Sequence, residues 1–131
     1  MKLTIIKVGG KIVENTYLLD KLINVFAKIK GHKILVHGGG NMATNMAEKL
    51  GIETKIFAGR RITDVKTLEI VTMVYAGLVN KNIVAKMQAK GYNALGITGV
   101  DMNIIEAIKR PIEDIDYGLS LIHISEPTRP Y

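Results

Sequence analysis

Ile34-Leu35-Val36-His37-Gly38-Gly39-Gly40 decides the fold, and Ile5-Ile6-Lys7-Val8-Gly9-Gly10 shares its design nearer the amino terminus. Each is a run of aliphatic, largely β-branched residues that stops at glycines and leads into a helix-patterned segment. Runs of that kind are expected of strands covered on both faces, as in a parallel sheet. Ligands of such sheets sit beyond the carboxyl ends of the strands, where glycine-rich turns offer bare backbone N–H groups to an anion. The two turns therefore point to phosphate handling.

Working outward, Leu19, Leu22, Ile23, Phe26 and Ile29 recur at helical spacing, with Asn15 or Thr16 as N-cap and Gly31 as the stop. Met42, Ala43, Met46, Ala47 and Leu50 mark a second helix that ends at Gly51. Residues 54–58 read as a short strand, with Gly59-Arg60-Arg61 as the turn after it. Thr63 or Asp64 then caps a long helix reaching Lys90, with Gly91 just past its end. Gly77 and Asn80 are poor helix formers, so a kink or split is expected there. Residues 93–98 read as another strand, and 103–108 as a further candidate. The alternation predicts an α/β fold, an open and mainly parallel sheet sandwiched by helices.

Composition narrows the function. The 131 residues suffice for one domain with a real core, and 47% hydrophobic with 23% charged residues is ordinary for a globular domain. Cysteine is absent, which excludes disulfides and thiolate chemistry and fits a reducing, cytoplasmic setting. No apolar run approaches the roughly 18–20 residues that span a bilayer, so no membrane partner is expected. Met1 leads directly into a strand, so no signal peptide is expected either. The net charge of +6 is spread over single lysines, and aromatics make up only 5%. That pattern describes a solvated basic surface, which would favour anionic substrates, rather than a nucleic-acid platform.

The residues at or just past the strand ends are Lys7, Gly9, Gly10, His37, Gly38, Gly39, Gly40, Arg60, Arg61 and Gly99. Neither turn has Walker spacing or a G-x-G-x-x-G pattern, so their convergence carries more weight than either motif. A lysine inside an apolar strand is expensive to bury unless it meets an anion, which singles out Lys7. Arg60-Arg61 suits a two-pronged grip on a carboxylate. His37 reads as a loop-fixing hydrogen bonder rather than a base, and Asp101 as a turn former. No metal-ligand spacing is present.

Taken together, IIKVGGK, LVHGGG, GRRITD and VYAGLVNKNIVA resemble the N-acetylglutamate kinases of the amino-acid kinase family, from about Leu3 to Gly118. The resemblance implies a three-layer fold and transfer of the ATP γ-phosphoryl group to the side-chain carboxylate of an N-acyl-L-glutamate, as in arginine biosynthesis. It implies ATP and Mg²⁺ as cofactors. By position, Lys7 matches a catalytic lysine that stabilises the transferring phosphoryl group, and Gly9 and Gly10 match glycines whose N–H groups face the phosphates. Gly39 and Gly40 match the pair that contacts substrate, and Arg61 matches the arginine on its α-carboxylate, although Arg60 beside it leaves two candidates. A carboxylate acceptor of pKa about 4.3 needs no general base, which fits the absence of an acid–base pair.

Members of that family are about twice as long, and their second half supplies the adenine site and most of the ATP and Mg²⁺ contacts. Residues 1–118 are therefore expected to be an amino-terminal substrate-binding lobe, inactive alone and exposing an apolar interface. The long helix after Thr63 is the expected homodimer surface of the full-length protein, and the simpler dimeric type, without the extra amino-terminal helix of hexameric, arginine-inhibited relatives, is the expectation. Two other readings stay open: the same chemistry on N-succinylglutamate, and a non-catalytic anion- or nucleic-acid-binding module. Residues 119–131, with two of the three prolines and no period in common with their neighbours, resemble the in-frame translation of a sequencing-library adapter. They are expected to be an adventitious tail.

Overall fold

A computed structural model describes residues 2–109, 112, 114–119 and 121–124. Strands β1 (Leu3–Val8) and β2 (His32–His37) pair in parallel, with Leu3 opposite His32 and Val8 opposite His37. Parallel neighbours require a crossover, and helices α1 (Gly10–Glu14) and α2 (Thr16–Lys28) provide it. The Asn15 side chain caps α2 by accepting the Leu18 N–H at 3.0 Å. At the other end, Lys33 Nζ donates to the Ala27 and Ile29 carbonyls at 2.7 and 2.8 Å, closing the helix with a cation.

Helix α3 (Gly40–Lys49) starts directly after β2. Strands β3 (Lys55–Phe57) and β4 (Arg60–Ile62) then form an antiparallel hairpin. Its turn residues, Ala58 and Gly59, both hold the positive φ that tight hairpin turns demand, 47° and 75°. A continuous helical rod follows: α4 (Val65–Thr72), a π-helical segment (Met73–Val79) and α5 (Asn80–Ala89). The irregularity expected near Gly77 is thus a run of wide turns rather than a break. Asp64 is the cap, accepting the Thr67 N–H at 2.7 Å.

One core holds these parts together. Val8 of β1 packs with Val13, Leu19, Ile23, Phe26 and Ala27 of the crossover, with Ala43 and Ala47 of α3, and with Ile70, Val74, Val79, Ile83 and Met87 of the rod. Ile6, Leu35, Met42 and Met46 join it from the side. By length and composition, Val65–Ala89 is long and apolar enough to cross a membrane, which corrects the expectation that no segment reaches that length. Five of its side chains are instead buried in this core.

The α/β class holds, but the sheets differ from expectation in three ways. First, among the described residues β3 pairs only with β4, and Arg60-Arg61 lie on the return strand rather than in a turn. Second, residues 93–98 form no strand, because α5 side chains take their carbonyls. Gln88 reaches Ala94 O at 3.4 Å, Lys81 reaches Gly96 O at 2.9 Å and Asn80 reaches Ile97 O at 3.3 Å. Third, a 3₁₀ turn occupies Asp101–Asn103, and β5 (Ala107–Lys109) pairs antiparallel with β6 (Leu121–Ile124), inside the stretch expected to be a tail. Moreover, the described residues cover β1 and β2 on one face only. Leu3, Ile5, Ile34 and Val36 on the other are 43–62% exposed, since the single crossover places its helices on one side.

Ile23 has no exposed surface, so Ile23→Ala is expected to lower unfolding free energy by about 2–5 kcal/mol in denaturant titrations. The Asp64 carboxyl is held below the ordinary aspartate range by hydrogen bonds from the Thr67 backbone and side chain, with Lys66 and Lys55 in support. A depressed value stabilises the fold above the unfolded pKa and ceases to do so as pH falls through the folded one. The gap in thermal midpoint between wild type and Asp64→Ala should therefore be full at neutral pH and close in acid.

Candidate functional site at the glycine rim

Because Val8 stands opposite His37, the turns that follow them leave the sheet side by side. A Cβ placed on Gly10 would lie 3.9 Å from the Gly40 backbone N and 3.2 Å from Glu14 Oε1. The starts of α1 and α3 therefore meet, and Asn41 Nδ2 ties them by donating to Glu14 Oε2 at 3.3 Å. Around Gly9 and Gly38 the space is open, with no atom within 4 Å of a would-be Cβ. Bare backbone thus faces outward at both turns, which is the surface an anion needs.

Gly39 is required for a different reason. A Cβ there would come within 3.2 Å of two Tyr75 ring carbons and 3.3 Å of Val79 Cγ2, so the π-helical segment packs directly against the turn. The Tyr75 hydroxyl lies beside Gly40, 3.7 Å from its would-be Cβ. His37 has the loop-fixing part expected of it. Its Nδ1 is 3.1 Å from Gly38 O and its Nε2 is 3.3 Å from Asn80 Nδ2, an arrangement satisfied by a proton on Nδ1. Asn80 is buried and holds both His37 and Ile97 O, while its own Oδ1 has no hydrogen-bond partner.

The hairpin separates the two arginines. Arg60 is exposed, whereas Arg61 is half-buried and reaches the rim. Its Nη2 donates to Gly40 O at 2.9 Å and to Thr44 Oγ1 at 2.8 Å, and its Nη1 is buried with no partner among the described residues. A buried guanidinium nitrogen without an acceptor is a vacancy in the hydrogen-bond ledger that an incoming carboxylate can fill.

Lys7 lies two residues before Gly9, at the same end of the sheet, but it is exposed. The expectation that burial would force an anion upon it is corrected, since it alternates with Leu3 and Ile5 on the open face. Asp101 accepts the Thr98 N–H at 2.5 Å and the Thr98 hydroxyl at 2.8 Å, and these bonds hold its carboxyl below the usual range. It builds its own turn, as expected. Gly99 packs on Ile105, which a Cβ would approach to 3.1 Å. Among the described residues no group of three His, Asp or Glu is arranged to hold a metal ion.

The rim thus brings together Gly9, Gly10, Gly38, Gly39, Gly40 and Arg61. Three residues at or beside it were missed from sequence. Thr44 is a mid-helix threonine with no pattern to mark it. Tyr75 is hidden in an apolar run. Asn80 was legible only as a poor helix former.

Residues 2–123 match the amino acid kinase family. The chain is 64% identical over 117 residues to an acetylglutamate kinase of Bacteroides fragilis, covering 89% of this chain and 45% of that protein. It is 65% identical to one from Bacteroides thetaiotaomicron, at 89% and 46% coverage, and 41% identical to one from Methanopyrus kandleri, at 87% and 45%. The chain therefore spans less than half the length of these relatives. The crystal structure of smu.665 from Streptococcus mutans UA159 shares the fold, with a TM-score of 0.57 at 20% identity over 74% of this chain and 40% of that one. On the family match and these identities, the chain belongs to the amino acid kinase family.

Proposed function

We propose that residues 1–118 are the amino-terminal, substrate-binding lobe of an ATP-dependent acetylglutamate kinase, which phosphorylates the side-chain carboxylate of N-acetyl-L-glutamate. One observation carries the reading. Arg61 is fastened by Nη2 to the second glycine turn, at the rim where both turns converge, and keeps a buried Nη1 with no partner among the described residues. The relatives' shared name supports the acetyl substrate over the succinyl one.

In this reading Arg61, rather than the exposed Arg60, grips the substrate's α-carboxylate, and Gly39 and Gly40 line its bed. The open backbone at Gly9, with Gly10 beside it, faces the phosphates. Lys7, free at the strand end, swings its ammonium toward the transferring group. Two anions must be held in line, and fixed N–H groups with a lysine charge offset their repulsion. The acceptor carboxylate is already ionised at neutral pH, so no proton has to be moved.

The described residues do not fit a protein-held Mg²⁺, so no step is assigned through the ion. In this proposal Mg²⁺ and the adenine of ATP are held mainly by the length that the relatives have and this chain lacks. The same proposal places the full-length protein in the cytoplasm as a homodimer. The rod supplies the dimer face, where Val65, Met73 and Leu78 are exposed. Residues 119–131 are proposed to be foreign to it, on their proline content and lack of a shared period, although the family match runs to residue 123.

Calorimetry on the purified 131-residue chain tests the lobe. N-acetyl-L-glutamate should bind wild type and Lys7→Ala alike, and Arg61→Ala should weaken binding by about tenfold to a hundredfold, as expected for a lost charge-assisted hydrogen bond. A coupled ATP-consumption assay should stay at background for all three. Unchanged affinity in Arg61→Ala, or ordinary kinase turnover by this chain, would overturn the reading.

A further inference from the structure

Thr44 lies inside α3, one turn past Gly40, where a hydroxyl has no capping duty. Its Oγ1 donates to Gly40 O at 3.1 Å and accepts from Arg61 Nη2 at 2.8 Å, while the same Nη2 donates to Gly40 O at 2.9 Å. Three atoms from the glycine turn, α3 and β4 close a ring. Its sense is fixed: the hydroxyl proton goes to the carbonyl, so a lone pair of Oγ1 faces the guanidinium. An Nη carries two protons, and both of those on Nη2 are taken. Nη1 keeps its protons, buried and without an acceptor among the described residues.

We propose that Thr44 is a positioning residue that immobilises Nη2 so that Arg61 presents Nη1 to the α-carboxylate of the acyl-amino-acid substrate. The inference rests on the reading of Arg61 as the carboxylate grip, and deepens it. It also changes the mode of grip: with Nη2 spent inside the protein, the ligand is held through Nη1 rather than by the two-nitrogen fork that adjacent arginines suggest from sequence. Without the hydroxyl, Gly40 O alone restrains Nη2, and the guanidinium gains freedom to rotate about its Nε–Cζ bond. Serine keeps the hydroxyl and valine keeps the shape, so the two substitutions isolate the oxygen.

Nitrogen-15 NMR of the arginine side chains in the 131-residue chain reads that rotation directly. Wild type and Thr44→Ser should show separate Nη1 and Nη2 resonances for Arg61, and Thr44→Val should show them merged, with backbone amide spectra reporting that each variant is folded. N-acetyl-L-glutamate should bind Thr44→Val about tenfold more weakly and Thr44→Ser within about twofold of wild type. The preference for this ligand over its α-carboxamide analogue should shrink in Thr44→Val alone. Separate resonances, or undiminished affinity and preference, in folded Thr44→Val would overturn the proposal while leaving Arg61 as the grip. Undiminished affinity in Arg61→Lys would instead remove the underlying reading of Arg61, and the proposal with it.

Discussion

The parallel register of β1 on β2 is the constraint from which the rim follows. With Val8 opposite His37, the chain leaves both strands at one level, and the first residues of α1 and α3 meet. A slip of one residue would turn Val8 outward and drive Lys7 into the core, because strand side chains alternate between faces. Buried Val8 and half-buried Ile6 and Leu35 resist that slip, since each packs into the one core. Apolar packing thereby fixes where polar backbone is presented. The glycines add the second half: at Gly39 the Tyr75 ring and Val79 take the space a side chain would use, and at Gly10 a side chain would press on the Glu14 carboxylate.

A second device brings charge to that backbone. Arg60 and Arg61 are adjacent, so in a flexible turn either guanidinium reaches the rim. On a pleated strand they point to opposite faces, and the hairpin makes β4 such a strand. Arg61 then lies against Gly40 and Thr44 while Arg60 meets solvent. The turn at Ala58-Gly59 thus decides which of two chemically equal residues serves the site. Sequence left the pair open because it placed them in the turn itself, one step before the pleat begins.

Local signals were readable where they are local in physics. The caps at Asn15 and Asp64, the stops at Gly51 and Gly91, and the strands ending at the glycine turns all stand where spacing put them, whereas α2 ends at Lys28, ahead of Gly31. Signals that depend on a neighbour were not. Residues 93–98 have strand composition, but composition does not say whether a free sheet edge is nearby, and Asn80, Lys81 and Gln88 take their carbonyls first. Thr44 gave no sign, because its partner Arg61 is seventeen residues away on another element.

Lys7 shows the limit of reasoning from apolar runs. Its neighbours Leu3 and Ile5 lie on a face that the described residues leave open, together with Ile34 and Val36. A sheet meant to have water on one side alternates apolar with polar residues, whereas this one is apolar on both. Burying such a side chain is worth about 1.5–3 kcal/mol, so four exposed aliphatics on two short strands are a cost that one covered face does not explain. The strands carry the composition of a two-sided sheet, in a chain that spans less than half the length of its relatives. Lys7 sits at the carboxyl end of that open face, beside the glycine turns, where any layer covering Ile5 and Val36 would also shield its charge from water and strengthen its electrostatic interactions.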